Sequence, residues 1–328
     1  MSEIVVSSRV RLARNYADLP FRNKITREQS EDCVQRTLNA LRVLPQPYTF
    51  LVLKGMEQNE TKALVEAHLI SPDLAEHEET GAVLLRDDEK ISVMMNEEDH
   101  LRIQGFTLGE NLNGAAECAF SIEDALQEQL SFAFDPQWGY LTACPTNAGT
   151  GLRASMMLHL PMLTAQKQMG KVNQIAAKLG LTLRGIYGEG SEAQGNLYQL
   201  SNQVTLGRTE KEIIDAVAAT ARQMAEMERV YRHKAQDKDP VAFEDQLFRS
   251  YGLLTNARLM PIKEFMAHWS SLRLGASMGK LPVSLKTCDA LLTAAQPAHV
   301  QKAAGTALND KDMDAYRSEL IRNALNGG

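Results

Sequence analysis

Apolar positions along the first two-thirds of the chain follow two different periods. Short stretches with apolar or β-branched residues in a run, or at every second position, are typical of strands, and longer stretches with apolar residues three or four apart are typical of helices. Strands are predicted at residues 4–12, 49–54, 82–85, 91–96, 140–144 and 182–187. The alternation of both kinds of element predicts an α+β fold.

Local polar signals refine this pattern. Thr26 and Gln29 form a capping box, which predicts a helix that reaches about residue 44, and the helical period predicts another helix at residues 59–69. The polar stretch 86–90 between two predicted strands is short, and it favours an antiparallel hairpin over a helical crossover. We therefore expect an antiparallel sheet flanked by helices.

The pattern becomes helical after residue 209. Thr209 and Glu212 form a second capping box, and the helix that they open is predicted to end near residue 236. Prolines divide the remainder into shorter helices, and they stand at positions 240, 261, 282 and 297. This change of character predicts an α+β domain at residues 1–234 and an all-helical C-terminal domain at residues 235–328.

Composition and charge exclude several classes of function. The chain has 328 residues, with 35 basic against 41 acidic side chains and a formal net charge of −6, which argues against a nucleic-acid or membrane-surface partner. No apolar run approaches the roughly 20 residues that span a bilayer, and the first residues lack the signal-peptide pattern, so a cytoplasmic location is expected. The four cysteines form no C-x-x-C pair, so the sequence indicates neither a zinc site nor a disulfide framework. No residue is assigned as a metal ligand.

The familiar phosphate loops do not occur in their proper form. Residues 275–280 have three residues between their glycines, not four, and Leu281 stands where a P-loop needs Ser or Thr. Residues 188–193 match G-x-G-x-x-A, but the residues after them are a poor helix start, and dinucleotide binding needs that helix. Ser191 has no G-x-S-x-G frame, so a serine hydrolase is disfavoured as well.

Two polar segments have both a chemical and a plain structural interpretation. Arg9 and Arg11 share one face if their segment is a strand, which suits a polyphosphate, although charges on a solvated edge strand are the alternative. Residues 96–102 bring carboxylates, His100 and Arg102 to a strand end. A solvated turn with a hydrogen-bonding structural histidine is the alternative there.

Two further segments also follow predicted strands. Residues 144–153 form a loop of small residues ahead of a predicted helix at 154–163, so that backbone N–H groups and Arg153 would cradle an anion. Cys144 is either a buried small residue or a thiolate favoured by Arg153 and the helix start. Residues 184–193 add glycines and carboxylates, and taken alone they are more typical of a mobile turn with solvated acids.

Taken together, the segments indicate phosphoryl transfer to a guanidinium group. Arginines can hold the phosphates of ATP together with Mg²⁺, and separated carboxylates can hold a cationic nucleophile. A guanidinium has a pKa above about 12, so it attacks phosphorus only if a carboxylate orients it and accepts a proton. Glu98 and either Glu189 or Glu192 are the candidates.

These segments resemble the phosphagen (guanidino) kinase family, and within it the bacterial protein arginine kinases. The motifs are S-S-R-V-R-L-A-R, N-E-E-D-H-L-R, C-P-T-N-x-G-T-G-L-R-A-S and R-G-x-Y-G-E-G-S-E-A-x-G-N, and the resemblance runs from residue 4 to about residue 325. It implies an antiparallel catalytic sheet flanked by helices, the guanidino kinase or glutamine synthetase-like fold, with a helical domain after it. The activity that it implies is ATP-dependent phosphorylation of arginine side chains in proteins.

The resemblance also implies roles for single residues. Glu98 matches the catalytic carboxylate, and Cys144 matches the cysteine near the substrate guanidinium. Glu189 and Glu192 match the family's mobile glutamate-bearing turn, and which of them does more stays open. A site for ATP, with Mg²⁺ as its metal, is implied at Ser7, Ser8, Arg9, Arg11, His68, Arg102, Arg153, Ala154, Ser155, Arg184, Tyr187 and Gly188.

Two departures from the animal members of the family favour a protein substrate. Those kinases carry a helical domain ahead of the first arginine motif, which stands near the start here, and they have an arginine where this chain has Tyr187. The partners implied are proteins that bear arginine. An activator protein, partners from protein quality control and a homodimer are compatible with the resemblance.

A third departure concerns regulation. Protein arginine kinases often carry an R-D-x-x-R-A motif that binds phosphoarginine, and the matching stretch 311–316 has Lys311 and Ala315 in place of its arginines. Phosphoarginine is therefore not expected to bind the helical domain, unless Arg317 or Arg322 replaces the missing guanidinium.

Two other functions stay open. One is a kinase for free arginine or another small guanidino compound, and the other is a non-catalytic adaptor that recognises arginine or phosphoarginine on other proteins. The carboxylates of residues 96–102 and the set of arginines argue against the adaptor.

Overall fold

A computed structural model gives the fold and describes residues 3–77, 79–186 and 193–327. The strands β1 to β10 are Val5–Arg14, Tyr48–Val52, Ala82–Arg86, Ile91–Met95, Leu101–Leu108, Phe134–Asp135, Gly139–Tyr140, Leu152–His159, Leu181–Gly185 and Leu197–Asn202. The helices α1 to α12 are Arg27–Leu41, Gln58–Glu66, Pro72–Glu76, Leu112–Gln127, Pro161–Ala165, Met169–Lys178, Glu210–Lys238, Pro240–Asn256, Ile262–Ser277, Leu285–Ala294, Pro297–Ala304 and Asp310–Asn326. The predicted turn with Tyr187, Gly188, Glu189 and Glu192 lies outside the described residues, so the roles of these four residues stay predictions.

An eight-stranded sheet forms the centre of the molecule, in the order β2-β3-β4-β5-β1-β8-β10-β9. Every neighbouring pair in it is antiparallel, and β3 and β4 form the predicted hairpin. The prediction of an α+β fold with an antiparallel sheet is therefore confirmed.

The prediction of a helix at residues 154–163 is wrong. Leu152–His159 is strand β8, which lies between β1 and β10 and is largely buried on both faces. Its residues do alternate, since Leu152, Ala154 and Met156 enter the apolar cluster and Arg153 and Ser155 lie on the opposite face. Alanine, methionine and leucine are good helix formers, and their propensity favoured a helix although the period of two indicates a strand. Of the predicted strand at 140–144, only Tyr140 lies in a strand, the two-residue β7.

The predicted helix starts are confirmed at both capping boxes. Thr26 and Gln29 exchange side-chain and backbone hydrogen bonds ahead of α1, as Thr209 and Glu212 do ahead of α7. Helix α7 runs without a break to Lys238, through the boundary predicted at residue 235.

The two faces of the sheet have different neighbours. Helices α1, α4, α6 and α7 cover one face and bury the largest apolar cluster, which includes Val10 and Leu12 of β1. On the other face, α2 and α3 cover only the end near β3 and β4, where Leu74 packs against Val83 and Met94. The middle of that second face is left for polar side chains.

Helices α8 to α12, here called the helical domain, pack around Trp269 in an apolar cluster that also includes Val6 and Leu197 of the sheet. The buried Arg273 adds a polar contact, because its Nη1 donates to the Glu3 carbonyl oxygen (2.8 Å). Among the described residues, the structure has no helix whose length and apolar character would suit a membrane crossing.

A second contact fixes the helical domain to α2. The Glu66 carboxylate accepts hydrogen bonds from the backbone N–H groups of Ala298 (3.0 Å) and His299 (3.2 Å) at the start of α11. The unpaired N–H groups of a helix start favour an anion there. Helix α11 is thus capped by a side chain from the sheet-bearing part of the chain.

Arg317, the candidate for the missing arginine of the regulatory motif, is engaged in contacts within the helical domain. Its side chain is 1% exposed, and its guanidinium donates to the carbonyl oxygens of Ala295 (2.7 Å) and Met260 (2.8 Å) and to Asp314 (2.6 Å). Arg322 donates to the Ala257 carbonyl oxygen. Both guanidiniums hold the helical domain together.

Candidate active site

Arginines from several strands meet on the polar face of the sheet. Arg9 and Arg11 share one face of β1, as the alternation predicts, and Arg11 lies opposite Arg153 of β8. Arg102 of β5 lies opposite Ala13, two residues further along the same face. Arg184 of β9 reaches this face through its pairing with Gln199. We call Arg9, Arg11, Arg102, Arg153 and Arg184 the arginine face.

The guanidiniums of the arginine face repel one another. Burial, followed by the charges of Arg9, Arg102 and Arg153, lowers the pKa of Arg11 well below its usual range. Burial and the neighbouring arginines, Arg184 first, also lower the pKa of Arg153. Its Nε is buried and has no hydrogen-bond partner among the described residues. Such crowding and an unused buried donor suit a site that holds a polyanion.

The turn after β4 is fixed by Asn96 and Glu97. Asn96 adopts a left-handed conformation (φ 61°), and its side-chain amide donates to the carbonyl oxygens of Ser30 (3.0 Å) and Thr80 (2.9 Å). Glu97 is fully buried and forms an ion pair with Arg102.

Glu97 accepts two further hydrogen bonds. They come from the Ser71 hydroxyl (2.6 Å) and from the backbone N–H of Glu98 (2.8 Å). The carboxylate therefore positions an arginine of the arginine face and the residue predicted to be catalytic. Sequence reasoning placed Glu97 in the cluster and gave it no role. Its place in the sequence, just after the strand and directly before Glu98, could have indicated that it positions Glu98.

Glu98 projects into a cavity of about 330 Å³ that is also lined by Arg11, Arg102, Cys144 and Arg153. Its side chain is 40% exposed, and its Oε2 lies 3.5 Å from Arg102 Nη2. Burial, and then the Asp99 charge, raises the pKa of Glu98. A raised pKa makes a carboxylate a better proton acceptor.

Asp99 and His100 support the surrounding backbone. Asp99 accepts from the Asn15 side-chain amide (2.6 Å) and from the N–H of Ala143 (2.7 Å), which fixes the segment ahead of Cys144. His100 accepts the N–H of Tyr16 at Nδ1 (3.0 Å), which leaves Nε2 to donate to the Pro20 carbonyl oxygen (2.9 Å). His100 is thus a structural histidine, which was the alternative interpretation.

Cys144 lies on the wall of the same cavity as Glu98. It is partly buried, and its Sγ lies 3.0 Å from the Thr146 hydroxyl. The residues after it form a single 3₁₀ turn, Pro145–Asn147, followed by a loop and then β8. The helix start that was expected to favour its thiolate is therefore not there.

Two residues of the predicted nucleotide site point away from the arginine face. Ser8 donates from Oγ to the Gly109 carbonyl oxygen (2.8 Å) and accepts the N–H of Asn111 (3.2 Å). Ala154 has its side chain in the opposite core, and its N–H donates to Asn202 Oδ1 (2.8 Å). Ser155 lies on the arginine face, where its hydroxyl faces the Arg9 carbonyl oxygen at 3.5 Å.

Ser7 and His68 line a separate, mostly apolar cavity of about 310 Å³ at the Arg9 end of the arginine face. His68 follows α2 in a left-handed conformation (φ 59°), and its carbonyl oxygen accepts from Gln104 Nε2 (2.8 Å). Burial, then Arg9 and Arg11, lowers the pKa of His68 to about 4. Its imidazole is neutral at pH 7. The hydrogen bond from Gln104 to the His68 backbone was not predicted, because it depends on the register of β5.

A third cavity, of about 560 Å³, continues beyond Glu98. Phe21, Arg22 and Thr142 contribute to its walls, and Asp73 lines both this cavity and the one that contains Cys144. Asp73 was not singled out from the sequence, because no local motif marks it. The polar face therefore offers a place for a polyanion, a carboxylate beside it, and open space beyond that carboxylate.

Two family models match the chain. The model described as "ATP:guanido phosphotransferase, C-terminal catalytic domain" matches residues 29–231, and the one described as "Protein-arginine kinase McsB C-terminal domain" matches residues 240–327.

Curated relatives match over nearly the whole chain. A protein-arginine kinase of Caldanaerobacter subterraneus subsp. tengcongensis is 43% identical over 328 residues, which are 99% of this chain and 97% of the relative. One of Brevibacillus brevis is 45% identical over 329 residues, which are 99% of this chain and 92% of the relative.

Solved structures share the fold. A lombricine kinase superposes with a TM-score of 0.61 at 23% identity, over 70% of this chain and 67% of that chain. The duplicated taurocyamine kinase of Schistosoma mansoni gives 0.63 at 27% identity, over 79% of this chain and 39% of that one. The chain therefore belongs to the ATP:guanido phosphotransferase family, in its group of protein-arginine kinases.

Proposed function

We propose that this protein transfers the γ-phosphoryl group of ATP to arginine side chains of other proteins. The observation that carries the proposal is the single cavity in which Arg11, Arg102 and Arg153 stand beside Glu98 and Cys144. The relatives are named protein-arginine kinases, which supports a protein as the acceptor. A catalytic domain at residues 1–234 and a helical domain at residues 235–328 are part of the proposal.

The arginine face holds the phosphates. Planar guanidiniums form paired hydrogen bonds with phosphate oxygens, and fixed positive charges stabilise the charge that spreads over the transferred group. Mg²⁺ would be held by the phosphates of the nucleotide and would neutralise part of their charge. No protein ligand for it is assigned.

Glu98 orients the acceptor and takes its proton. The bond between the γ-phosphorus and the oxygen that bridges to the β-phosphate breaks, a nitrogen–phosphorus bond forms, and ADP leaves. The proton lost by the guanidinium nitrogen passes to the Glu98 carboxylate. Glu189 or Glu192 supplies the second carboxylate in this proposal.

The cavity beyond Glu98 favours a protein substrate. Its volume of about 560 Å³ leaves room for backbone and neighbouring side chains next to a bound guanidinium. The second candidate is a kinase for free arginine, because the Glu98 cavity itself would accept the same guanidinium. A cytoplasmic location, a homodimer, an activator protein and quality-control partners belong to the proposal as well.

One assay distinguishes the candidate functions. The protein is incubated with ATP and Mg²⁺, either with an arginine-rich protein or with free arginine, and products are analysed by mass spectrometry under non-acidic conditions. We expect phosphoarginine in the protein substrate. Product from free arginine alone would identify a small-molecule kinase, and ATP-independent binding of the protein without any product would identify an adaptor.

Alkylation of Cys144 should inactivate the enzyme. Its thiol lines the Glu98 cavity, so a bulky adduct there would obstruct the acceptor guanidinium. Burial raises the pKa of Cys33 and of Cys288 to about 12, so these thiols should react slowly. Activity and peptide mass spectra are followed together during exposure to iodoacetamide, with and without saturating ATP and arginine substrate.

Protection by the substrates is the essential control for this prediction. Cys118, which is partly buried outside the cavity, reports modification that the substrates do not affect. Full activity after complete modification of Cys144 would show that this thiol has only a structural role.

A further inference from the structure

Helix α10 of the helical domain forms one side of the cavity that contains Ser7 and His68. The lining residues on α10 are Lys286, Asp289, Ala290, Leu292 and Thr293. The facing wall comes from the sheet, with Phe106 and Met157 on its polar face. The cavity is therefore closed by two parts of the chain that match different family models.

This cavity is the natural place for the base of the nucleotide. Ser7 stands two residues before Arg9 on the same face of β1, so the cavity begins about 7 Å from the arginine face. Its volume of about 310 Å³ lies at the lower end of the range of about 300–1,000 Å³ for small-molecule sites. Its mainly apolar walls suit a flat aromatic ring, and the neutral His68 adds no charge.

The α10 wall is held firmly in place. Trp269 Nε1 donates to the Cys288 carbonyl oxygen (2.7 Å), and Arg273 Nε donates to Asp289 (2.7 Å). The same Arg273 guanidinium donates to the Glu3 carbonyl oxygen (2.8 Å), just ahead of β1. One buried side chain thus links α10 to the strand that carries Ser7 and Arg9.

We propose that α10 is part of the nucleotide site: Ala290, Leu292 and Thr293 contact the base and ribose of ATP, while the arginine face holds its phosphates. This inference rests on the proposed function, because it takes ATP as the ligand. It implies that the helical domain contributes directly to the affinity for ATP. The guanidino substrate does not enter this cavity.

The test separates the base from the phosphates. Ala290 is replaced by Trp, which fills the cavity, and dissociation constants for ATP and for inorganic tripolyphosphate are measured by calorimetry with Mg²⁺ on the full chain. We expect Ala290→Trp to weaken ATP binding by at least ~10-fold and to change tripolyphosphate binding by less than ~2-fold. The matched control is Ala303→Trp, an exposed alanine of α11 outside the cavity, which should bind both ligands normally.

Unchanged ATP affinity in Ala290→Trp would overturn the inference. Wild-type protein that binds tripolyphosphate as tightly as ATP would also overturn it, because the base would then contribute nothing. Binding is measured without an acceptor, so a protein that makes no phosphoarginine can still confirm the α10 contact. Failure of the proposed function and failure of this inference are therefore distinguishable.

Discussion

Glu98→Gln should lower kcat by at least ~100-fold, because a positioned proton acceptor typically contributes about 10²–10⁴-fold. The amide preserves the shape of the side chain but cannot take the proton of the guanidinium. The fold should be unaffected, since the side chain is 40% exposed and its nearest polar contacts are 3.4 Å to Asn147 and 3.5 Å to Arg102. The measurement is steady-state phosphorylation of an arginine-bearing protein, together with the thermal midpoint.

The pH profile adds a second test of Glu98. Its pKa is raised by burial and by Asp99, so turnover of the wild type should fall on the acidic side at a higher pH than an ordinary glutamate would give. Glu98→Gln should lose that dependence. Glu117→Gln, the same change at an exposed position of α4, is the matched control. Turnover near the wild-type value in Glu98→Gln would remove this carboxylate from the mechanism.

Gly105→Ala should reduce the free energy of unfolding by about 3 kcal/mol or more, at the upper end of overpacking effects. Helix α4 lies so close to β5 that a Cβ on Gly105 would be 2.0 Å from the Ala115 carbonyl oxygen and 2.9 Å from the Ala119 nitrogen. Both are backbone atoms, so the whole helix must move. That movement would also disturb the buried ion pair between Glu123 of α4 and Arg14 of β1 (2.5 Å).

Gly170→Ala is the matched control for this stability prediction. Gly170 lies in α6, and a Cβ there would have no atom within 4 Å. The change should be neutral or stabilise by up to about 1 kcal/mol, because alanine is the better helix former. Denaturant midpoints compare the two variants. Equal stability of Gly105→Ala and the wild type would show that α4 can shift without cost.

Local sequence patterns predicted the features that depend only on residues close together in the chain. The alternation of β1 put Arg9 and Arg11 on one face, and the Thr26 and Thr209 capping boxes marked two helix starts. The prediction failed at β8, where the helix propensity of alanine, methionine and leucine outweighed an alternation that puts Arg153 and Ser155 on one face.

The candidate site was only partly predictable, because its geometry depends on strand register. The motif around Glu98 was visible in the sequence. The contact of Gln104 with His68 joins residues that are 36 positions apart, and the one between Ser71 and Glu97 spans 26. The α10 wall is more distant still from β1 along the chain, and no local signal indicates that the two meet.

The position of β1 in the sheet has a consequence for how the chain folds. It is the first strand in the sequence, yet Arg9 pairs with Phe106 on one side and with Ser155 on the other. During synthesis β1 therefore waits with both edges unpaired until β5 is complete at Leu108, and its second edge stays unpaired until β8 is complete at His159. Such non-local pairing is slow, and an unpaired apolar strand tends to associate with other chains. The guanidiniums of Arg9 and Arg11 oppose that association before they ever meet a phosphate, so the same two charges would protect the nascent chain and later serve the mature enzyme.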